Sequence, residues 1–439
     1  MLPRLYRTLA VVLAMSVLDS CASRPATLTS ADLDVLSERY TRLVLAMGKH
    51  DPDYVDAFYG PPQWKLEADR DSLPLPRILT IADSLARRLV ARAPRGADAL
   101  TVLRQRYLHR QLEALTARAR MLNGERLSFD VESRALYDAV APSLGDSSFI
   151  PALARLDSLL PGTGPLGERW ERYRKEFTIP SAMLDTVFDV AIREARRRTR
   201  AHLALPDSES FVVEFVKNQP WSGYNWYQGG YRSLIQVNVD LPIYIDRALD
   251  LACHEGYPGH HVYNALLEQA LVRERGWKEF TVYPLMAPQS LIAEGTAVIA
   301  ADVAFPGVER ERFEKDVLYP LAGIDTSRYE RFAQITDAMQ SLSMAGVEGA
   351  RRWLDGRMTR EEAKQWLMQH AVRTAVRAEK DLRFAERYRS YVVNYRLGRT
   401  MVLDWLDRNG GDVAHPARRW QLYQTLLASP RLPGDLRTP

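Results

Sequence analysis

His254-Glu255-Gly256-Tyr257-Pro258-Gly259-His260-His261 holds three of the chain's eight histidines, with a glutamate directly after the first. Imidazole nitrogen is the commonest protein ligand for zinc, and a carboxylate beside a bound water serves as its general base. Two histidines four residues apart share one face of a helix, which is the logic of a His-Glu-x-x-His site. Here Pro258 stands where the second ligand belongs. On an unbroken helix His260 lies about 240° around from His254, while His261 returns to nearly the same face. Pro258 and Gly259 argue for a break, with His254 on the helix before it and the second ligand on the helix after it. Facing favours His261, with His260 the alternative.

Three protein ligands and one open position make a catalytic zinc site. The third candidate is Glu294, inside the nearly uncharged helical stretch Ser290-Leu291-Ile292-Ala293-Glu294-Gly295-Thr296-Ala297. A buried carboxylate there is costly unless it meets a cation. Glu255 is then the general base. Asp250, one turn before His254, is a candidate to orient that imidazole. Cys253 has no second cysteine to support a thiolate site and reads as a small buried residue.

Working outward, helical periodicity dominates the 439 residues. Leu33, Leu36, Tyr40, Leu43, Val44 and Met47 mark one face of a helix over about 31–47. Further helices are expected at about 76–93, 95–122, 130–142, 149–159, 165–176 and 181–203. After the octet they recur at 287–304, 309–318, 325–356, 359–377 and 379–408, with a capping box at Thr359-Arg360-Glu361-Glu362. β-Rich character is confined to 210–217, the aromatic, glycine-rich 221–231, and the alternating 234–239. The segment 224–231 is a candidate edge strand or aromatic wall for a bound peptide. The expected fold is mainly α, with a small β-sheet insert next to the metal-binding helix.

At the N-terminus Arg4 and Arg7 precede an apolar run from Leu9 to Leu18, then Leu18-Asp19-Ser20-Cys21-Ala22. This is the layout of a secretory signal over 1–20, too short to span a membrane. Its ending resembles a bacterial lipoprotein box with Cys21 as the lipidated residue, although Asp19 departs from that pattern. Ala22 after the cysteine implies the outer membrane, facing the periplasm. A tether follows over 21–30, then an N-terminal helical region over 31–205 and a catalytic region over 206–430. The net charge of +4 is small, and only eight of the 59 basic residues are lysine. The arginines are spread over amphipathic helices, so no nucleic-acid partner is expected.

The octet resembles the His-Glu-x-x-Pro-Gly-His-His signature of the bacterial domain of unknown function 885 family, which is similar to the helical thimet oligopeptidase and carboxypeptidase Taq metallopeptidases. Glu294-Gly295-Thr296-Ala297-Val298-Ile299 stands where that family has Glu-Gly-Trp-Ala-Leu-Tyr, and Asn394-Tyr395-Arg396-Leu397-Gly398 where it has Ser-Tyr-Lys-x-Gly. The resemblance implies one zinc ion held by His254, Glu294 and His260 or His261, with Glu255 as base. Tyr395 is a candidate donor to the developing oxyanion, and Arg396 or Arg399 a candidate anchor for a peptide carboxylate. Thr296, Val298 and Ile299 depart from the family pattern and are expected to reshape the pocket. The expected activity is cleavage of short peptides by an envelope-anchored zinc hydrolase. A hydrolase of other amides or esters, and a non-catalytic metal-binding lipoprotein, are the alternatives.

Overall fold

Thr29 opens the first long helix, α1 (Ser30–Met47), through a reciprocal cap: the Asp32 amide donates to Thr29 Oγ1 at 3.1 Å, and the Thr29 amide donates to Asp32 Oδ2 at 2.9 Å. The apolar face read from the sequence is buried along its length. The structure, a computed structural model, describes residues 27–90, 96–219 and 221–437. The signal segment and Cys21 lie outside those residues. The fold is mainly α with a small β component.

Five short strands and seven further helices position the site. They are β1 (Val55–Phe58), α2 (Ala99–Leu122), β2 (Ser210–Val216), β3 (Gly223–Gly229), β4 (Arg232–Asn238), α3 (Ile245–Leu251), α4 (His260–Leu267), β5 (Val282–Pro284), α5 (Pro288–Val298), α6 (Ala375–Tyr388), α7 (Val393–Arg408) and α8 (Pro416–Leu427). In the three-stranded sheet β4 is central, parallel to β2 and antiparallel to β3. Gly229 and Gly230 both take positive φ at the hairpin turn. Glu268, just beyond α4, accepts hydrogen bonds from Tyr227 Oη at 2.6 Å and the Gly230 amide at 3.2 Å. The hairpin is thereby pinned to the helix that follows the octet.

The second sheet is the antiparallel pair β1–β5, in register Val55↔Pro284 and Phe58↔Val282. It joins chain regions more than two hundred residues apart and has no counterpart in the sequence reading. A buried ion pair supports the same seam: Arg104 Nε on α2 donates to Glu279 Oε1 at 2.6 Å.

Three long helices expected from periodicity are divided. The 325–356 stretch breaks after Ser341, the 287–304 stretch at Ile299, and 379–408 between α6 and α7. At the last break Arg389 takes φ +50°. Buried Glu132 holds that break, accepting from Arg389 Nε and Ser390 Oγ, each at 2.6 Å. No proline or glycine marks it, so periodicity reads straight through. Helix α8 has no counterpart in the sequence reading either, and its Tyr423 hydroxyl donates to Thr296 O at 2.9 Å.

Candidate metal centre

The octet folds as a break and a restart. After α3 the backbone widens into a π-type turn, in which the Tyr257 amide reaches Ala252 O at 3.0 Å and the Gly259 amide reaches Cys253 O at 2.9 Å. Pro258 has no N–H to lose there. A Cβ on Gly259 would stand 2.0 Å from His254 O and 2.4 Å from Cys253 O, so the close backbone approach admits only glycine. Helix α4 then begins at His260. Because the helix restarts, the 240° offset of a continuous helix disappears: the His254 and His260 rings stand 4.7 Å apart with planes at 88°.

Glu294 on α5 completes the convergence. Its Oε2 is 3.4 Å from His254 Nε2 and 3.7 Å from His260 Nε2. Donor atoms of His254, Glu255 and His260 lie within 4.8 Å of one another. Glu294 Oε1 accepts from Tyr391 Oη at 2.7 Å, whereas Oε2 is buried and makes no hydrogen bond. Burial alone would raise the Glu294 carboxyl, but the two histidines override it and hold it far below the usual carboxylate range. For His260, burial favours the neutral ring, yet the Glu294 contact pushes the imidazole up to about 9. Two imidazole nitrogens converging within 3.7 Å of a buried carboxylate oxygen form the donor set a divalent cation such as zinc takes.

His261 does not join them. Its ring is fully buried on another face of α4, with Nδ1 2.9 Å from Ser233 Oγ and Nε2 3.1 Å from Glu209 Oε2. The preference for His261 is therefore corrected. It assumed the helical register carried through Pro258, and the wide turn resets it by one residue.

The cleft beside these donors, of about 760 Å³ and partly open to solvent, is lined by Tyr391, Tyr395, Asp56, Tyr224 and Asn225 among others. Tyr395 lies on α7, where Gly398 meets Gly295 of α5 so closely that a Cβ on either would stand 3.0 Å or less from the other backbone. The three sequence segments singled out above thus meet at one place. Burial and the nearby carboxylates of Glu294 and Glu255 raise the Tyr395 phenol well above its ordinary range, so it is a protonated donor. The Asn225 amide group donates to Glu255 O at 2.7 Å, and Gly223 leaves room for the Glu255 carboxylate.

Other expected roles fall away. Arg399 donates to Asp302, Arg396 stands 3.5 Å from Gln340 Oε1, and neither lines the cleft. Asp250 accepts from Arg310 at 2.8 Å. Thr296 turns its hydroxyl onto its own helix and Ile299 is core, and none of Thr296, Val298 and Ile299 lines the cleft. Cys253 is buried, as expected.

Asp56 and Tyr391 are the residues that sequence reasoning missed. Asp56 accepts a hydrogen bond from Tyr224 Oη, and burial, partly offset by His260, pushes its carboxyl up to about 7. A carboxylate in a four-residue strand carries no motif, and only the β1–β5 pairing places it.

No family model matches the chain, and no curated protein matches it. Among solved structures it is similar to a candidate lipoprotein from Colwellia psychrerythraea, with a TM-score of 0.48 and 14% identity over 94% of this chain and 76% of that one. A candidate lipoprotein of unknown function from Shewanella oneidensis gives a TM-score of 0.39 and 12% identity, over 83% of this chain and 75% of that one. Among the described residues, no helix is long and apolar enough to cross a membrane.

Proposed function

We propose that this protein is a zinc-dependent hydrolase of the cell envelope that cleaves short peptides, tethered by lipid on Cys21. One observation carries the reading: the unpartnered Glu294 Oε2 faces His254 Nε2 and His260 Nε2, with Glu255 alongside at the head of an aromatic cleft. His254, His260 and Glu294 would hold the metal. Bound there, the ion supplies Lewis acidity and lowers the pKa of water. Glu255 accepts the proton of the attacking water and returns it to the leaving amine. Tyr395 donates its phenol hydrogen toward the carbonyl oxygen as charge develops. The resemblance of all three segments to the domain of unknown function 885 family supports the reading, since those segments are the ones that meet at the cleft.

The test is elemental analysis of the purified protein beside His254→Ala and Glu294→Ala, with a peptide-library digest run against a panel of esters and other amides. About one zinc per chain is expected, lost in both variants, with peptide cleavage that Glu255→Gln abolishes and a chelator removes reversibly. Folded wild type without stoichiometric metal, or Glu255→Gln with undiminished turnover, sinks the proposal. Labelling with radioactive palmitate, absent in Cys21→Ala, tests the anchor.

A further inference from the structure

The cleft carries one carboxylate more than a metal hydrolase needs. Glu294 and Glu255 together match the two charges of a divalent ion, and neutral histidines add none. Asp56, which lines the same cleft, is a further acidic side chain. Its partner, the Tyr224 hydroxyl, is neutral, and no lysine or arginine pairs with it among the described residues. No lysine or arginine lines the cleft at all among those residues. A half-buried carboxylate with no lysine or arginine beside it is favoured where a ligand supplies the cation. Tyr224 is its hydrogen-bond partner, and Trp221 and Tyr388 line the same cleft. Aromatic faces beside a carboxylate attract an organic ammonium and offer nothing to an anion. A terminal carboxylate, by contrast, finds no cation to bind here.

We propose that Asp56 is a specificity-determining residue that binds an ammonium group of the substrate, so that the cleft takes peptides carrying a positive charge beside the bond cleaved. The inference rests on the hydrolase reading for the word substrate but not for the binding itself. Because Asp56 lines the same cleft as His260, Glu294 and Glu255, the ammonium it holds belongs to a residue flanking the scissile bond. A free α-amino group and a lysine side chain present the same chemistry.

The experiment is calorimetric titration of the zinc-loaded, full-length Glu255→Gln protein, which holds peptides without turning them over. Three matched peptide amides serve as probes: Ala-Phe-Ala with a free amino terminus, its N-acetyl form, and N-acetyl Lys-Phe-Ala. At least one ammonium-bearing peptide is expected to bind about tenfold tighter than the neutral one, the worth of a charge-assisted hydrogen bond away from water. A free-terminus preference assigns the α-amine, and a lysine preference assigns the side chain. Asp56→Asn should erase the preference and Asp56→Glu retain part of it, with circular dichroism confirming the fold of each. Equal binding of all three probes, no binding of any, or a preference that survives in folded Asp56→Asn overturns the proposal, the first two without any Asp56 variant. Hydrolysis by the wild type is followed separately. Ammonium-selective binding with no turnover of any peptide sinks the hydrolase reading alone, and turnover without selectivity sinks the Asp56 assignment alone.

Discussion

His260 and His261 are neighbours in the chain and opposites in environment. His260 faces the cleft, beside a carboxylate oxygen with no hydrogen bond of its own. His261 is sealed in a network in which every polar contact is answered. Ser233 meets one ring nitrogen and Glu209 the other, while Glu209 also accepts from Tyr257, from Arg196 Nη2 at 2.8 Å and from Arg200 Nη2 at 2.9 Å. Ser233, His261 and Glu209 even stand in the order of a hydrolytic triad, yet all three are buried and none lines the metal cleft. In this pair, the histidine beside the carboxylate oxygen with no hydrogen bond faces the cleft, and the one whose contacts are all answered holds the fold.

The sharpest way to break that comparison is to truncate each histidine in turn. His260→Ala should lose the zinc and lower peptide hydrolysis about a thousandfold or more, with a melting temperature near that of the wild-type protein stripped of metal. His261→Ala should keep about one zinc per chain and instead lose about 2–4 kcal/mol of stability, from a buried cavity and an orphaned Glu209. Elemental analysis beside denaturant unfolding separates the two. A folded His261→Ala without metal would reverse the assignment.

Glu209 sharpens the contrast through pH. Burial opposes its charge, but His261, Tyr257 and the two arginines outweigh burial and hold the carboxyl down at about 2. Its pKa is lower in the folded chain than in the unfolded one, where it is about 4.3. Its contribution is therefore fully present above about pH 4.3 and is lost as pH falls toward 2, a swing of roughly 2–3 kcal/mol. Glu209→Gln should be less stable at neutral pH and should lack that part of the acid destabilisation. Urea midpoints measured from pH 7 down to pH 3 report the difference, and parallel curves for the two proteins would count against it.

Gly259→Ala tests the join between the two environments. The added methyl meets backbone carbonyl oxygens, so the chain must shift where it sets the spacing of His254 and His260. About 1–3 kcal/mol of destabilisation is expected, with zinc affinity reduced at least about tenfold by competition with a chromogenic chelator. The smallest effect belongs to Ser233→Ala, which removes one hydrogen bond to His261. It should cost about 1 kcal/mol and leave zinc content and hydrolysis unchanged.

Much of this was legible before any coordinates. Histidines at that spacing, a glutamate alone in an apolar helix, and a tyrosine three residues before a glycine each carry local chemical cost or helical facing, and the fold brings all three together. The choice between adjacent histidines was not, because it depends on how many residues a proline-containing turn consumes. Periodicity describes helices and says nothing of the turn between them. Asp56 and Glu209 were invisible for a different reason. Each is a single acid in or beside a short strand, and its meaning comes from partners far away in sequence. Arg389 shows the same limit in the fold: the helix ends where a distant glutamate draws the backbone aside.

The contact between Gly295 and Gly398 has an engineering consequence. Two backbones that touch leave no slack, so the wall carrying Glu294, Tyr391 and Tyr395 is a fixed jaw whose spacing cannot be tuned by exchanging side chains at the crossing. The lining contributed by the short strand bearing Asp56 and the start of β3 is not tied to that crossing. Attempts to retarget the cleft should spend their diversity there, leaving the glycine crossing as the datum from which the rest is measured.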